Sequence, residues 1–186
     1  MDNYLRTIGG LPTDREQNDF YATEPKAVEW LLKLETFDKN IWDCAAGQNH
    51  IAIVLKQNGY NVRTSDLIVR EEGIEQLDFL KNNEKWDGDL ITNPPYKFAT
   101  DFIYKALETI KEGHKIAMFL KLQFLEGKRR KKLFLKYPPK TIYVSSSRLN
   151  CAKSGAFESH PSSAVAYCWY IWQKGFRGNT LLKWFN

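Results

Sequence analysis

A chain of 186 residues, 43% hydrophobic and 26% charged, is most simply one soluble globular domain, long enough to bury a full core. Its net charge of +5 and pI of about 9.0 permit a polyanionic partner without requiring one. No apolar run approaches the roughly 20 residues of a membrane span, the polar N-terminus lacks a signal-peptide core, and three scattered cysteines (Cys44, Cys151, Cys168) argue against a disulfide framework or zinc site and fit a reducing cytoplasm.

Residues 1–18 read as an N-terminal arm, and 19–186 as a single domain with no internal repeat or dividing linker. From Lys26 to Phe37, Val28, Leu31, Leu32 and Leu34 recur at helical spacing, with Thr23 a cap upstream. NIWDCAAG (40–47) is a short apolar strand entering a small-residue turn, and HIAIVLKQNG (50–59) a helix ending at Gly59. YNVRTSDL (60–67) is a second strand that finishes at Asp66, and Leu77 to Leu80 form a short element. DGDLITN (87–93) is a third strand, delivering Asn93 to its C-terminal edge. Pro94-Pro95 then carry the chain away stiff and extended, because proline fixes φ and has no amide to donate.

FATDFIYKALETIKEG (98–113) reads as a helix closed by Gly113, and HKIAMFLKL (114–122) as a fourth strand. FLEGKRRKKLFLKY (124–137) is a basic helix stopped before Pro138-Pro139. KTIYVSSSR (140–148) and AVAYCWYIWQKG (164–175) close the chain as two more strands, with Trp169 and Trp172 in the core. Strands alternating with helices imply an α/β, Rossmann-like fold, its mostly parallel sheet covered on both faces. Ligands of such sheets sit beyond the carboxyl ends of the strands, at the topological switch point.

Three successive strand ends carry candidate chemistry. Asp43 precedes a turn of small residues, which a nucleotide-type ligand needs for close backbone approach. Asp66 ends the next strand, where a carboxylate can accept from both hydroxyls of a ribose. Asn93-Pro94-Pro95-Tyr96 follows the third. Singly, a strand-end Asp is a turn or cap residue and a double proline is a turn; their order on consecutive βα units is what points to one site.

That order resembles the amino (N6-adenine) class of S-adenosylmethionine-dependent methyltransferases. Asn93-Pro94-Pro95-Tyr96 is similar to their D/N/S-P-P-Y/F tetrapeptide. DFYATEP (19–25) resembles the F-x-T-P segment, DCAAGQNH (43–50) the D/E-P-x-x-G-x-G loop, SDL (65–67) the ribose-binding end and LDFL (77–80) the adenine-flanking segment. Cofactor loop before tetrapeptide resembles the gamma arrangement, and residues 119–148 resemble small phage-type members more loosely.

The resemblance implies S-adenosylmethionine as cofactor and a target adenine turned out of its stack. It implies that Asn93, through its side-chain oxygen, and the Pro94 carbonyl accept from the exocyclic amine, that Pro95 stiffens the corner, and that Tyr96 stacks on the base. For the cofactor it implies Asp43 at the methionine amino group, Ala45 and Gly47 in the loop, Asp66 at the ribose, Asp78 at the adenine amine, Phe79 or Leu67 against the adenine ring, and Tyr21 and Thr23 at the methionine end, with Asn93 also among the cofactor-binding residues. Phe98 is either a second face for the base or, on its position opening a helix, a core residue. The loop departs from the pattern at Cys44 and at Gln48-Asn49, where a second glycine is usual; asparagine tolerates the left-handed backbone better than most residues.

Lys128 to Lys132 (KRRKK) is the densest charge cluster, either a solvated helix face or a phosphate contact led by Lys128, Arg129 and Arg130. Lys121, Arg148 and Lys153 could extend that surface. Residues 150–163, rich in Ser, Gly and Pro, are long for a hairpin connection and read as either a binding loop or a disordered one. His50 is expected to open a helix and His160 to lie in that loop; no metal site is expected. No stretch is long enough for a separate target-recognition domain. The first expectation is therefore a DNA adenine-N6 methyltransferase, acting as monomer or homodimer. The alternatives are the same chemistry on RNA, methylation of a protein glutamine, or a silent nucleic-acid-binding subunit.

Overall fold

The computed structural model describes residues 22–147, 149, 151–152 and 165–186. The arm, Tyr21, Arg148, Lys153 and His160 lie outside the described residues. An eight-stranded sheet runs β10-β7-β9-β6-β5-β2-β3-β4. Its strands are β2 (Asn40–Asp43), β3 (Asn61–Asp66), β4 (Glu75–Gln76), β5 (Asp89–Thr92), β6 (Lys115–Lys121), β7 (Thr141–Ser145), β9 (Tyr167–Gln173) and β10 (Leu181–Phe185). Every neighbouring pair is parallel except the two that β9 makes, antiparallel to β6 on one side and to β7 on the other. A separate antiparallel pair joins β1 (Ala22–Thr23) to β8 (Cys151–Ala152), with Thr23 opposite Cys151.

Helices cover both faces, as alternating strands and helices predict. On one face, α1 (Pro25–Leu34) and α2 (His50–Gln57) bury Val28, Leu31, Val54 and Leu55 against Ile41, Ile91, Phe119 and Trp169. On the other, α3 (Ala99–Thr109) and α4 (Lys128–Lys136) bury Phe102, Ile103, Ala106 and Leu133 against Trp42, Leu90, Met118 and Trp172. β9 shows why both tryptophans are core: side chains alternate across a sheet, so adjacent odd and even positions enter opposite layers. Trp169 donates its indole N–H to the Ala27 carbonyl at 2.8 Å, and Trp172 donates to the Tyr137 carbonyl at 3.0 Å. Both are at most 1% exposed.

Several boundaries differ from the sequence reading. α3 ends at Thr109, four residues before the Gly113 expected to close it, because Ile110 is already extended, and α2 ends at Gln57, two before Gly59. α1 stops at Leu34, three residues early, and turns into an extended Glu35. The basic helix starts at Lys128, not Phe124, because Leu122–Leu125 forms a 3₁₀ turn and Gly127 holds φ +118, which no helix allows. The segment 77–80 is a turn after the two-residue strand β4. β10 was not anticipated at all. Leu181, Leu182 and Trp184 are 54%, 43% and 68% exposed, and only Phe185 enters the core, so β10 has no buried face for a pattern to reveal. Among the described residues, no helix is long and apolar enough to cross a membrane.

Candidate functional site

The chain leaves β2 toward β3 on one side and later returns as β5 on the other. This places the switch point between β2 and β5. The carboxyl ends there are Asp43 and Thr92, and a cavity of about 240 Å³ opens beside them. One water needs only about 10–15 Å³ of such space, so the cavity is roomy enough to admit a small molecule.

Three βα units supply the walls. From the turn after β2 come Cys44, Ala45, Ala46, His50 and Ile51; from the loop after β3 come Asp66, Leu67, Ile68 and Arg70. Asn93, Pro95, Phe98 and Phe102 follow β5, while Leu77 to Leu80 and Thr23 close the sides. The turn works because Gly47 and Asn49 both adopt positive φ, +56 and +64. Asn49 thus takes the left-handed conformation usually given to glycine, which few other side chains tolerate.

Asp66 ties two of these walls together. Its Oδ2 accepts from the Gly47 amide at 2.8 Å, and its Oδ1 from the Ile68 amide at 3.0 Å. Arg70 adds a long 3.5 Å contact to the same Oδ1. Asp78 bends back on itself, accepting from the Leu80 amide at 3.1 Å and pairing with Lys81. Phe79, 2% exposed, stacks on Phe102 with centroids 5.3 Å apart and meets Trp42 edge-on. One end of the cavity therefore offers carboxylates with an apolar slot between them.

Asp43 is corrected in part. It does not line the cavity but is wholly buried. Its Oδ1 accepts from the Thr92 hydroxyl at 2.8 Å, while Oδ2 is buried without a hydrogen-bond partner among the described residues. Burial without full compensation raises its carboxyl to about 7. Gly47 likewise sits behind the lining, where its amide serves Asp66.

Of the tetrapeptide, Asn93 and Pro95 face the cavity and Pro94 is buried. The Asn93 amide donates through Nδ2 to Thr23 Oγ1 at 3.0 Å, and its Oδ1 is enclosed. Pro95 accepts from the Phe98 amide, opening the 3₁₀ turn Tyr96–Phe98. Tyr96 stands beside the cavity, tilted against Tyr167 at 6.1 Å, with Lys121 Nζ 4.9 Å from its ring centroid. Phe98 is 42% exposed and lines the cavity, so it is not the core residue its position suggested.

No family model matches the sequence, and no curated protein does. Solved structures do. A Listeria monocytogenes protein assigned to the class I S-adenosylmethionine-dependent methyltransferases superposes with TM-score 0.63 at 15% identity, over 97% of this chain and 70% of that one. An S-adenosylmethionine-dependent O-methyltransferase of Thermotoga maritima gives 0.54 at 18% identity, over 86% and 69%. The M protein of the type I restriction enzyme EcoKI gives 0.60 at 16% identity, over 90% of this chain and 46% of that one. The fold is that of the class I methyltransferases. Its antiparallel β9, set between β6 and β7, is part of that class I sheet here.

Within this class I fold, His50 and Arg70 line the cavity although the sequence reading left both aside. His50 opens α2 straight after the small-residue turn, at a helix N-terminus that borders the cavity; that adjacency was a legible signal. Burial lowers its imidazole below the usual value, which favours the neutral ring. Arg70 stands four residues past Asp66, in reach of its carboxylate. Among the basic candidates, Lys128, Arg129, Lys131 and Lys132 are exposed. Arg130 is a correction: its guanidinium turns inward to the carbonyls of Phe124, Gln123 and Glu126 and packs on the Phe124 ring. It closes the 3₁₀ turn instead of facing solvent.

The raised Asp43 carboxyl gives a testable sign. Folded Asp43 keeps a proton that the unfolded chain, at about 3.8, has released. Its contribution to stability is therefore complete below about pH 4 and is lost as pH climbs toward 7, at up to roughly 1.4 kcal/mol per unit. Urea unfolding of the ligand-free protein between pH 4.5 and 7 is expected to show that decline, and Asp43→Asn to flatten it.

Proposed function

We propose that this protein transfers a methyl group from S-adenosylmethionine to the N6 amine of an adenine in DNA. The observation that carries the reading is Asn93-Pro94-Pro95-Tyr96 at the switch point, bordering the same cavity as the Asp66 carboxylate. The residues present fit the donor. Asp66 suits a ribose, Asp78 with Phe79 and Leu67 suits an adenine, and Asp43 Oδ2, without a hydrogen-bond partner among the described residues, suits an ammonium once the loop over it yields. Bound there, the donor supplies an electrophilic methyl on a sulfonium.

The chain's own part is positioning. Asn93 Oδ1 and the Pro94 carbonyl accept the two amine hydrogens, which turns the nitrogen lone pair toward the methyl. The nitrogen–carbon bond forms as carbon–sulfur breaks, and the surplus proton leaves to solvent afterward, so no strong base is needed. Tyr96 stacks on the base, worth about 1–3 kcal/mol. Because Asn93 Oδ1 is enclosed, target entry requires the groups over it to move. Support for nucleic acid as substrate comes from the exposed Lys128, Arg129, Lys131 and Lys132 and from the likeness to a restriction-enzyme M protein.

Incubation with tritiated S-adenosylmethionine and, in turn, duplex DNA, single-stranded DNA, RNA and protein extract tests this directly. Label in DNA adenine is expected. Label on RNA alone or on glutamine removes the DNA reading, and no label with no donor binding by calorimetry leaves a silent subunit. Replacing Lys128, Arg129 and Lys131 together by glutamine is expected to lower the slope of log affinity against log salt by about 1–3, near 0.9 per phosphate contact. An unchanged slope would mean a merely solvated helix face.

A further inference from the structure

We propose that Thr23 is a positioning residue: it sets which end of the Asn93 amide meets the target amine, and couples that choice to occupancy of the donor site. The inference rests on the methyltransferase reading above. Thr23 comes from the small β1–β8 pair, not the main sheet, and is 2% exposed. Across 70 positions of sequence, its Oγ1 accepts from Asn93 Nδ2 at 3.0 Å.

An amide is nearly the same shape either way round, and only its partners distinguish oxygen from nitrogen. The orientation matters here. With the oxygen forward, Asn93 accepts from an exocyclic amine; with the nitrogen forward, donor faces donor and the lone pair is misdirected. The Thr23 hydroxyl fits either orientation, because it can accept from Nδ2 or donate to a flipped Oδ1. Thr23 also lines the cavity. A ligand whose anionic end accepts a hydrogen bond from the Thr23 hydroxyl removes the second option. Oγ1 is then an acceptor only, Nδ2 is held against it, and Oδ1 is left as the face for the base. The geometry thus orders events: donor first, target second.

The test compares Thr23→Val, which keeps the shape and removes the hydroxyl, with Thr23→Ser, which keeps the hydroxyl. For Thr23→Val, kcat is expected to fall about 10- to 100-fold, the scale of a misplaced reacting group. KM for DNA should stay within a few-fold, and Thr23→Ser should recover most of the rate. Thr23→Ala serves if the valine variant does not fold. A wild-type kcat in Thr23→Val overturns the inference, as does a serine variant as slow as the valine one, which would assign the effect to the lost methyl. The two layers separate cleanly. Full transfer by Asn93→Ala removes the reading itself, whereas a dead Asn93→Ala beside a fully active Thr23→Val removes only the role of Thr23.

Discussion

Asn93→Ala is expected to abolish measurable methyl transfer while leaving the donor's dissociation constant within a few-fold. The rate loss is set by chemistry, not by folding. Removing one preorganised polar group from a reacting centre costs about 100- to 1,000-fold, and no other side chain among those lining the cavity is placed on the proline corner to substitute. Stability should change little, because Asn93 is only half-buried and borders the open cavity, where the alanine leaves room for water. Single-turnover transfer from tritiated donor, with calorimetry for binding, separates the two quantities. Normal methylation by this variant would mean that the acceptor lies elsewhere.

Asp66→Ala is expected to weaken donor binding by at least about 10-fold. A hydrogen bond to a charged group is worth about 1.5–3 kcal/mol, which corresponds to roughly 10- to 150-fold. The carboxylate also shapes its own site. It accepts from Gly47 on one side and Ile68 on the other, so its loss loosens the turn after β2 as well as the loop after β3. Asp66→Asn, which keeps one acceptor oxygen, should fall between alanine and wild type. An unchanged dissociation constant in the alanine variant would show that the ribose is held by other groups.

The parts of this molecule that are buried on both sides were readable from sequence, for one physical reason. Strands such as DLIT and YCWYIWQ must satisfy two apolar layers, so their composition is constrained at every position. The site was readable where chemistry is local: Asp66 ends a strand, and two prolines force an extended corner. It was less readable where partners come from afar. Nothing near Asn93 announces Thr23, nothing in WDCA says that Asp43 is sealed behind its own turn, and the KRRKK run does not disclose that Arg130 alone turns inward. β10 failed for the opposite reason, since a strand that buries one residue in five leaves little trace.

Because β9 runs against its neighbours, its first residue lies where theirs end: Tyr167 pairs with Lys121, the last residue of β6. Tyr167 thereby reaches the rim without a crossover helix and flanks Tyr96. Behind it, Phe119 stacks at 5.3 Å and then packs on Trp169, which is fully buried. A column of rings thus runs from the middle of the molecule to its mouth, with Tyr96 at its outer end.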